Sequence, residues 1–151
     1  MTVRIAFGTD ERTAVTEALK ELVAEAGHEL VVAARDGDPW PDVGRAVGEA
    51  VASGTADRGV VCCWTGTGVA MAATKVPGVR AALCGDAETA RGARRWNDAN
   101  VLALGLRLTS AVVAGEVLAA FLGTDPDPDE GPTIARVEPR PGAGPGPAAE
   151  G

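Results

Sequence analysis

Along most of its 151 residues the chain switches between two spacings of apolar positions. Val3 to Phe7 is a short continuous apolar run entering Gly8-Thr9-Asp10, the pattern of a buried strand reaching its loop. From Thr13 the period lengthens. Val15, Ala18, Leu19, Leu22, Val23 and Ala26 fall at helical spacing, and Gly27 stands where such a helix would stop. Leu30 to Ala34 predicts a second strand, followed by a loop over Asp36-Gly-Asp-Pro-Trp-Pro. The next elements are a helix over Val43 to Ala52, a strand over Gly59 to Cys63 and a helix opening over Val69 to Thr74. Val79 to Cys84 predicts a fourth strand, Ala87 to Arg95 a helix, Val101 to Leu104 a fifth strand, and Ala111 to Leu122 a last helix begun by Thr109-Ser110.

Strands that alternate with helices of this length predict a parallel sheet covered on both faces, the doubly wound α/β class. Ligands of such sheets bind beyond the carboxyl ends of the strands. That rule draws together Thr9-Asp10-Glu11, Cys63 to Gly68, and Gly85-Asp86. After Gly123 the composition turns to Asp and Pro, then to Ile134-Ala-Arg-Val-Glu, then to Pro, Gly and Ala. From Pro139 the apolar content is too low to fold, so the expected organisation is one domain over 1–138 and a disordered tail over 139–151.

Charge narrows the partners. A formal net charge of -7 repels phosphate backbones, which argues against nucleic acid while leaving room for a small phosphorylated ligand held by local cations and amides. The cysteine count is odd, no basic segment followed by an apolar run opens the chain, and no apolar stretch approaches the ~20 residues of a membrane span. The expected setting is cytoplasmic, with no membrane partner.

The turn Cys63-Trp64-Thr65-Gly66-Thr67-Gly68 carries the candidate chemistry. A strand ending here and passing into a helix presents several N–H groups in one direction, and glycines let a ligand oxygen approach them. Two readings stand side by side: a tight βα connection, or an anion cradle. The nucleotide P-loop is excluded, because no Gly-Lys-Ser/Thr closes the turn and Lys75 lies too far along. Cys63 is either a thiolate base or nucleophile stabilised by those amides, or a small buried hydrophobe. Cys62, on the other face of the strand, and Cys84 are expected only to pack. No cysteine pair has metal spacing, and a bridge between neighbours would be strained. His28 follows Gly27 at the opposite edge of the sheet, where a structural role is expected, so the usual histidine acid–base chemistry is not.

These segments together carry a resemblance: Ile5 to Asp10, Glu49 to Gly59, Cys63 to Gly68, Lys75 to Cys84, Asn97 to Gly105, and Arg136-Val-Glu138. In them the chain resembles the family that holds ribose-5-phosphate isomerase B and the two subunits of galactose-6-phosphate isomerase. The resemblance implies a Rossmann-like three-layer αβα sandwich with a five-stranded parallel sheet. It also implies a homodimer or tetramer whose sites lie between subunits, and aldose–ketose isomerisation of a sugar phosphate through a cis-enediolate, without metal or cofactor. Cys63 would be the base, Thr65 would handle hydroxyl protons, and the amides around Gly66, Thr67 and Gly68 would stabilise the enediolate oxygen. Asp10 would meet a substrate hydroxyl, Asn97 and Arg107 would come from the neighbouring subunit, and Arg136 would bind phosphate.

Departures from the family pattern bear on the substrate. Glu11 and Trp96 stand where the ribose-phosphate branch has histidines, the second of them credited with opening the sugar ring. Trp64 replaces a glycine, Pro132 an arginine, and Trp40-Pro41 a Tyr-Pro that lines the pocket. Trp64 and Trp96 either pack in a core or interface or reshape the pocket. Arg12, Arg94 and Arg95 are candidates to replace the missing phosphate contacts. Ribose 5-phosphate is the default substrate. Loss of the ring-opening residue makes a shorter acyclic sugar phosphate, such as a tetrose phosphate, an alternative. A non-catalytic or partner-dependent subunit is the second class. A non-phosphorylated sugar is the third, favoured by Glu11 and Pro132 and opposed by Arg107 and Arg136.

Overall fold

The computed structural model describes residues 2–142 and 144. Five strands, β1 (Arg4–Thr9), β2 (Glu29–Val32), β3 (Arg58–Cys63), β4 (Ala81–Leu83) and β5 (Val101–Gly105), form one parallel sheet in the order β2-β1-β3-β5-β4. They alternate with α1 (Ala14–Glu25), α2 (Trp40–Ala52), α3 (Thr67–Thr74), α4 (Ala87–Asn97) and α5 (Ala111–Leu122). Leu19 and Val23 of α1, Ala90 and Ala93 of α4 and Phe121 of α5 pack with Ile5, Val60, Cys62 and Leu104 on one face of the sheet. Val43 and Val47 of α2 and Val69 and Ala73 of α3 pack with Ala6, Val61, Cys63 and Ala103 on the other. Successive strand residues point to opposite faces, so each central strand feeds two cores and reads as a continuous apolar run. The result is the expected Rossmann-like three-layer sandwich.

Local chemistry moves several boundaries. α1 begins after a capping box: Thr13 Oγ1 accepts from the Thr16 N–H at 3.3 Å, and Thr16 Oγ1 accepts from the Thr13 N–H at 2.9 Å. α2 starts three residues before the predicted Val43, so Trp40 and Pro41 belong to the helix and not to the loop; Pro41 is tolerated in the first turn, where a missing N–H costs nothing. α2 and α3 touch through glycines. A Cβ on Gly44 would sit 2.5 Å from Ala72 Cβ, and one on Gly48 would sit 3.0 Å from the Ala73 carbonyl oxygen.

α4 ends at Asp98, whose φ of 44° is left-handed. Beside it Arg94 is 1% exposed. Its guanidinium donates to Asp98 Oδ1 at 2.8 Å, to the Ala99 carbonyl at 2.6 Å and to the Thr124 carbonyl at 3.1 Å, and lies over the Phe121 ring. A buried charge is tolerated when it is paired and hydrogen-bonded in this way. After α5 the chain makes a one-turn 3-10 segment (Pro128–Glu130), the short helix α6 (Gly131–Ile134) and a further 3-10 turn (Ala135–Val137), none with a buried residue. The expected tail over 139–151 falls largely outside the described residues. Among the described residues no helix is long and apolar enough to cross a membrane.

Candidate active site

β3 delivers Cys63 to the carboxyl edge of the sheet with 5% of its surface exposed. Its Sγ accepts a hydrogen bond from the Gly66 N–H at 3.2 Å. Gly66 can turn back in this way because its φ of 77° is left-handed, and no other residue fits: a Cβ there would lie 2.5 Å from Leu83 Cδ1 and 2.8 Å from Gly105 N. α3 then begins with no side-chain cap, so the N–H groups of its first turn, at Thr67 and Gly68, have neither an intrahelical acceptor nor a capping one. The hydroxyls of Thr65 and Thr67 are hydrogen-bonded at 2.8 Å. Trp40 lies against the helix start, with ring atoms 2.9 and 3.0 Å from where a Gly68 Cβ would be.

The loop after β5 is tied to this turn. Leu106 and Arg107 donate their N–H groups to the carbonyls of Cys63 and Trp64 at 2.9 and 2.8 Å. A cavity of about 260 Å³ opens between the two loops, lined by Trp64, Thr65, Arg107, Leu83 and Leu108. Arg107 thus stands beside its own chain's turn. Leu83, at the end of β4, and Leu108, in the turn after β5, are walls with no signal in the sequence, since single leucines there carry no pattern.

Asp10 marks the crevice between β1 and β3, where the chain's course across the sheet reverses. Its N–H donates to the Cys62 carbonyl at 3.3 Å, and its Oδ1 is buried without a partner. Burial, and secondarily the neighbouring Glu11 charge, push the Asp10 carboxyl above its ordinary value. An unsatisfied buried acceptor is costly to maintain, and a ligand hydroxyl would satisfy it. Glu11 is exposed beside it, its N–H on the Thr9 hydroxyl at 3.2 Å.

The other thiols are set apart. Burial, followed by the charges of Cys63, Asp10 and Asp36, holds the Cys62 thiol far above the usual range. Burial and Asp86 push Cys84 up to about 11. His28 accepts a hydrogen bond from the Val3 N–H at its Nδ1, 3.2 Å away, stitching the start of β1 to the turn before β2. Among the described residues no group of three or more His, Cys, Asp or Glu is arranged to hold a metal ion.

The remaining expected site residues lie elsewhere. α4 runs back from the carboxyl edge, so Trp96 and Asn97 at its end stand at the amino edge, as does the C-terminal stretch that carries Arg136. Trp96 folds over Gly92, with ring atoms 2.8 Å from where a Cβ would be, and is 56% exposed, as is Trp64. Core packing is therefore ruled out for both indoles. A second cavity of about 510 Å³, lined by Trp96, Asn97, Val79, Ile134 and Val137, lies at this edge. One chain brings Asp10, Glu11, Trp40 and Cys63 to Gly68 to the carboxyl edge, sets Arg107 in the separate cavity beside Trp64 and Thr65, and leaves Trp96, Asn97 and Arg136 at the other edge. Of the three arginines expected to replace missing phosphate contacts, Arg94 is excluded by its burial and its three acceptors. Arg12 is engaged with Glu17 at 3.1 Å, and Arg95 stays exposed at the end of α4.

Residues 5–138 match the family model described as Ribose/Galactose Isomerase. The galactose-6-phosphate isomerase subunit LacB of Clostridium acetobutylicum is 46% identical over 83 residues, 55% of this chain and 48% of that protein. The D-erythrulose-4-phosphate isomerase of Pectobacterium atrosepticum is 38% identical over 99 residues, 66% of this chain and 64% of that one. The match thus spans about half to two thirds of the length of these two relatives. Ribose-5-phosphate isomerase B of Escherichia coli is 35% identical over 126 residues, 80% of this chain and 83% of that one. The solved type B ribose 5-phosphate isomerase of Trypanosoma brucei superimposes with a TM-score of 0.82 at 37% identity, over 90% of this chain and 97% of that one. The model match over nearly the whole described chain, with the same fold beneath it, places the chain in the ribose/galactose isomerase family.

Proposed function

We propose that the chain is an aldose–ketose isomerase of a sugar phosphate, working through a cis-enediolate with Cys63 as the base. The observation that carries this reading is the Cys63 Sγ held against the Gly66 N–H at 3.2 Å, at the head of α3. The amide and the helix N-terminus both favour negative charge on sulfur, the charge a cysteine base carries when it takes the proton from carbon 2 of an aldose and returns it to carbon 1. Charge then gathers on the substrate oxygen, which the free N–H groups of Thr67 and Gly68 meet without reorganisation. Thr65, paired with Thr67, passes the hydroxyl protons. Asp10 accepts from a substrate hydroxyl, Trp40 and Trp64 wall the pocket, Glu11 borders it, and Arg107 of the neighbouring copy supplies positive charge.

Trp96, Asn97 and Arg136 act from the amino edge of a second copy. A homodimer or tetramer with sites between chains follows, built from a domain over 1–138 in a cytoplasmic setting. Ribose 5-phosphate is the default substrate. Two exposed indoles at the pocket-forming positions favour a second reading, a four-carbon sugar phosphate, which needs neither the room nor the ring opening of a pentose.

Proton NMR in deuterated water on four-, five- and six-carbon aldose and ketose phosphates, with Cys63→Ala as control, tests both. Deuterium entering one sugar in a Cys63-dependent way supports isomerisation and fixes chain length. Comparable turnover of ribose 5-phosphate and erythrose 4-phosphate removes the case for the shorter chain. No exchange with any of these sugar phosphates overturns the sugar-phosphate isomerase reading in favour of a partner-dependent subunit or an unphosphorylated ligand.

A further inference from the structure

The C-terminal stretch that carries Arg136 has no buried residue between Pro128 and Val137, and a cavity of about 510 Å³ lies beneath it. Burial is therefore not what fixes Arg136. Polar links at its two ends are: the Asp127 N–H donates to the Arg95 carbonyl at 2.9 Å, and Glu138 Oε1 accepts from Arg80 Nη1 at 2.6 Å. Arg80 does more than close that end. Its Nε donates to the Asp98 carbonyl at 2.9 Å and its Nη2 to Asp98 Oδ2 at 3.2 Å, while its own N–H is held by Asn100 Oδ1 at 2.8 Å. Asp98, left-handed at φ 44°, takes the buried Arg94 on its other oxygen and directly follows Asn97.

We propose that Glu138, Arg80 and Asp98 form a positioning clamp that makes Asn97 and Arg136 one rigid substrate-binding unit. The inference rests on the preceding reading of those two residues as substrate ligands. None of the three clamp residues touches substrate. They act through their neighbours: Asp98 sets the end of α4 that presents Asn97, and Glu138 sets the turn that presents Arg136 two residues earlier. The side chains of Arg80, Asp98 and Glu138 are only 20%, 35% and 35% exposed, so the links are partly shielded from solvent, and the Arg80 fork spans both carboxylates at once. A preorganised cation loses less on binding phosphate than one on a loose loop.

The purified full-length protein tests this with whichever sugar phosphate it turns over in the exchange assay. Glu138→Gln should raise KM about tenfold, the scale of one lost charge-assisted link, while kcat stays within about twofold. Glu138→Asp, which keeps the carboxylate, should recover most of the loss. Arg136→Met should raise KM at least as much, and adding Glu138→Gln to it should change nothing further, because a clamp acting through Arg136 has nothing left to position. Effects that multiply in the double variant, or a Glu138→Gln protein that is merely less stable with a wild-type KM, would overturn the clamp and leave the ligand assignment standing. An Arg136→Met protein with wild-type KM, against a Cys63→Ala control that is dead, would overturn the ligand assignment and the clamp with it.

Discussion

Adjacent side chains of a strand point to opposite faces, and Cys62 and Cys63 owe their difference to that. Cys62 enters the core between β1, β3, α1 and α5, while Cys63 faces α2 and α3 at the last position of its strand, where the Gly66 N–H reaches it. Cys63→Ala should abolish solvent exchange of the substrate's carbon-bound proton and keep the fold. Cys62→Ala should cost about 1 kcal/mol in urea unfolding, as a small group removed from a core does, and keep exchange. Loss of exchange in the Cys62 variant alone would assign the base to the wrong thiol. Asp10 gives a prediction in pH. A carboxyl whose pKa is raised on folding stabilises the folded state fully below its ordinary value of 3.8, and that contribution is lost as pH rises through the raised value. Asp10→Asn, which mimics the protonated form, should therefore be more stable than the parent at pH 7, with the gap closing as pH falls below about 4. Thermal unfolding across pH reads it directly, and a gap constant in pH would refute the account. Activity in that variant should fall, since the acceptor for the substrate hydroxyl is weakened.

The helices that frame Cys63 are held by glycines, not by large apolar contacts. Gly44 and Gly48 bring α2 within backbone distance of α3, and Gly66 lets the turn lie against β5. Gly44→Ala must push Ala72 and the Val69 carbonyl away, an overpacking that should cost about 1–3 kcal/mol in denaturant unfolding and displace α3 from under the cradle. Gly66→Ala combines a left-handed φ with a Cβ 2.8 Å from the β5 backbone, so it should lose exchange activity even where the protein still folds. At this scale the sequence was informative wherever period and punctuation agreed. α5 begins at Ala111 and ends at Leu122 as its pattern predicts, because Ser110 caps the Val113 N–H at 3.2 Å and an apolar run follows. The start of α2 is hidden in the sequence because Pro and Trp read as loop, although Pro in a first turn is compatible with helix. The short helical turns after Pro128 left no periodic trace, since three- and four-residue elements with no buried position have none to leave.

At the scale of the whole molecule, parallel topology decides which candidate residues can meet. Residues that follow strands β1, β3 and β5 converge at one edge, and the βα alternation made that half of the site legible from residue order. Trp96, Asn97 and Arg136 stand out in the sequence by resemblance alone, and the charged links among Arg80, Asp98 and Glu138 leave no trace in it because partners 18 and 58 residues apart share no local pattern. Their separation from Cys63 makes a quantitative demand. If each site takes Cys63 from one copy and Asn97 from another, then Cys63→Ala and Asn97→Ala homo-oligomers are both inactive, yet a mixed dimer of the two holds one site with both residues intact. Random exchange of subunits at equal concentration makes half of the dimers mixed, each with one working site of two, so activity should return to about a quarter of wild type in a two-fold symmetric dimer. The measurement is proton exchange after co-refolding the two variants, with each variant refolded alone as control. Recovery requires the two edges to belong to different chains. A mixture as inactive as its components would place both residues in one chain's site, which α4 forbids unless it leaves the position it holds beside β4 and α5.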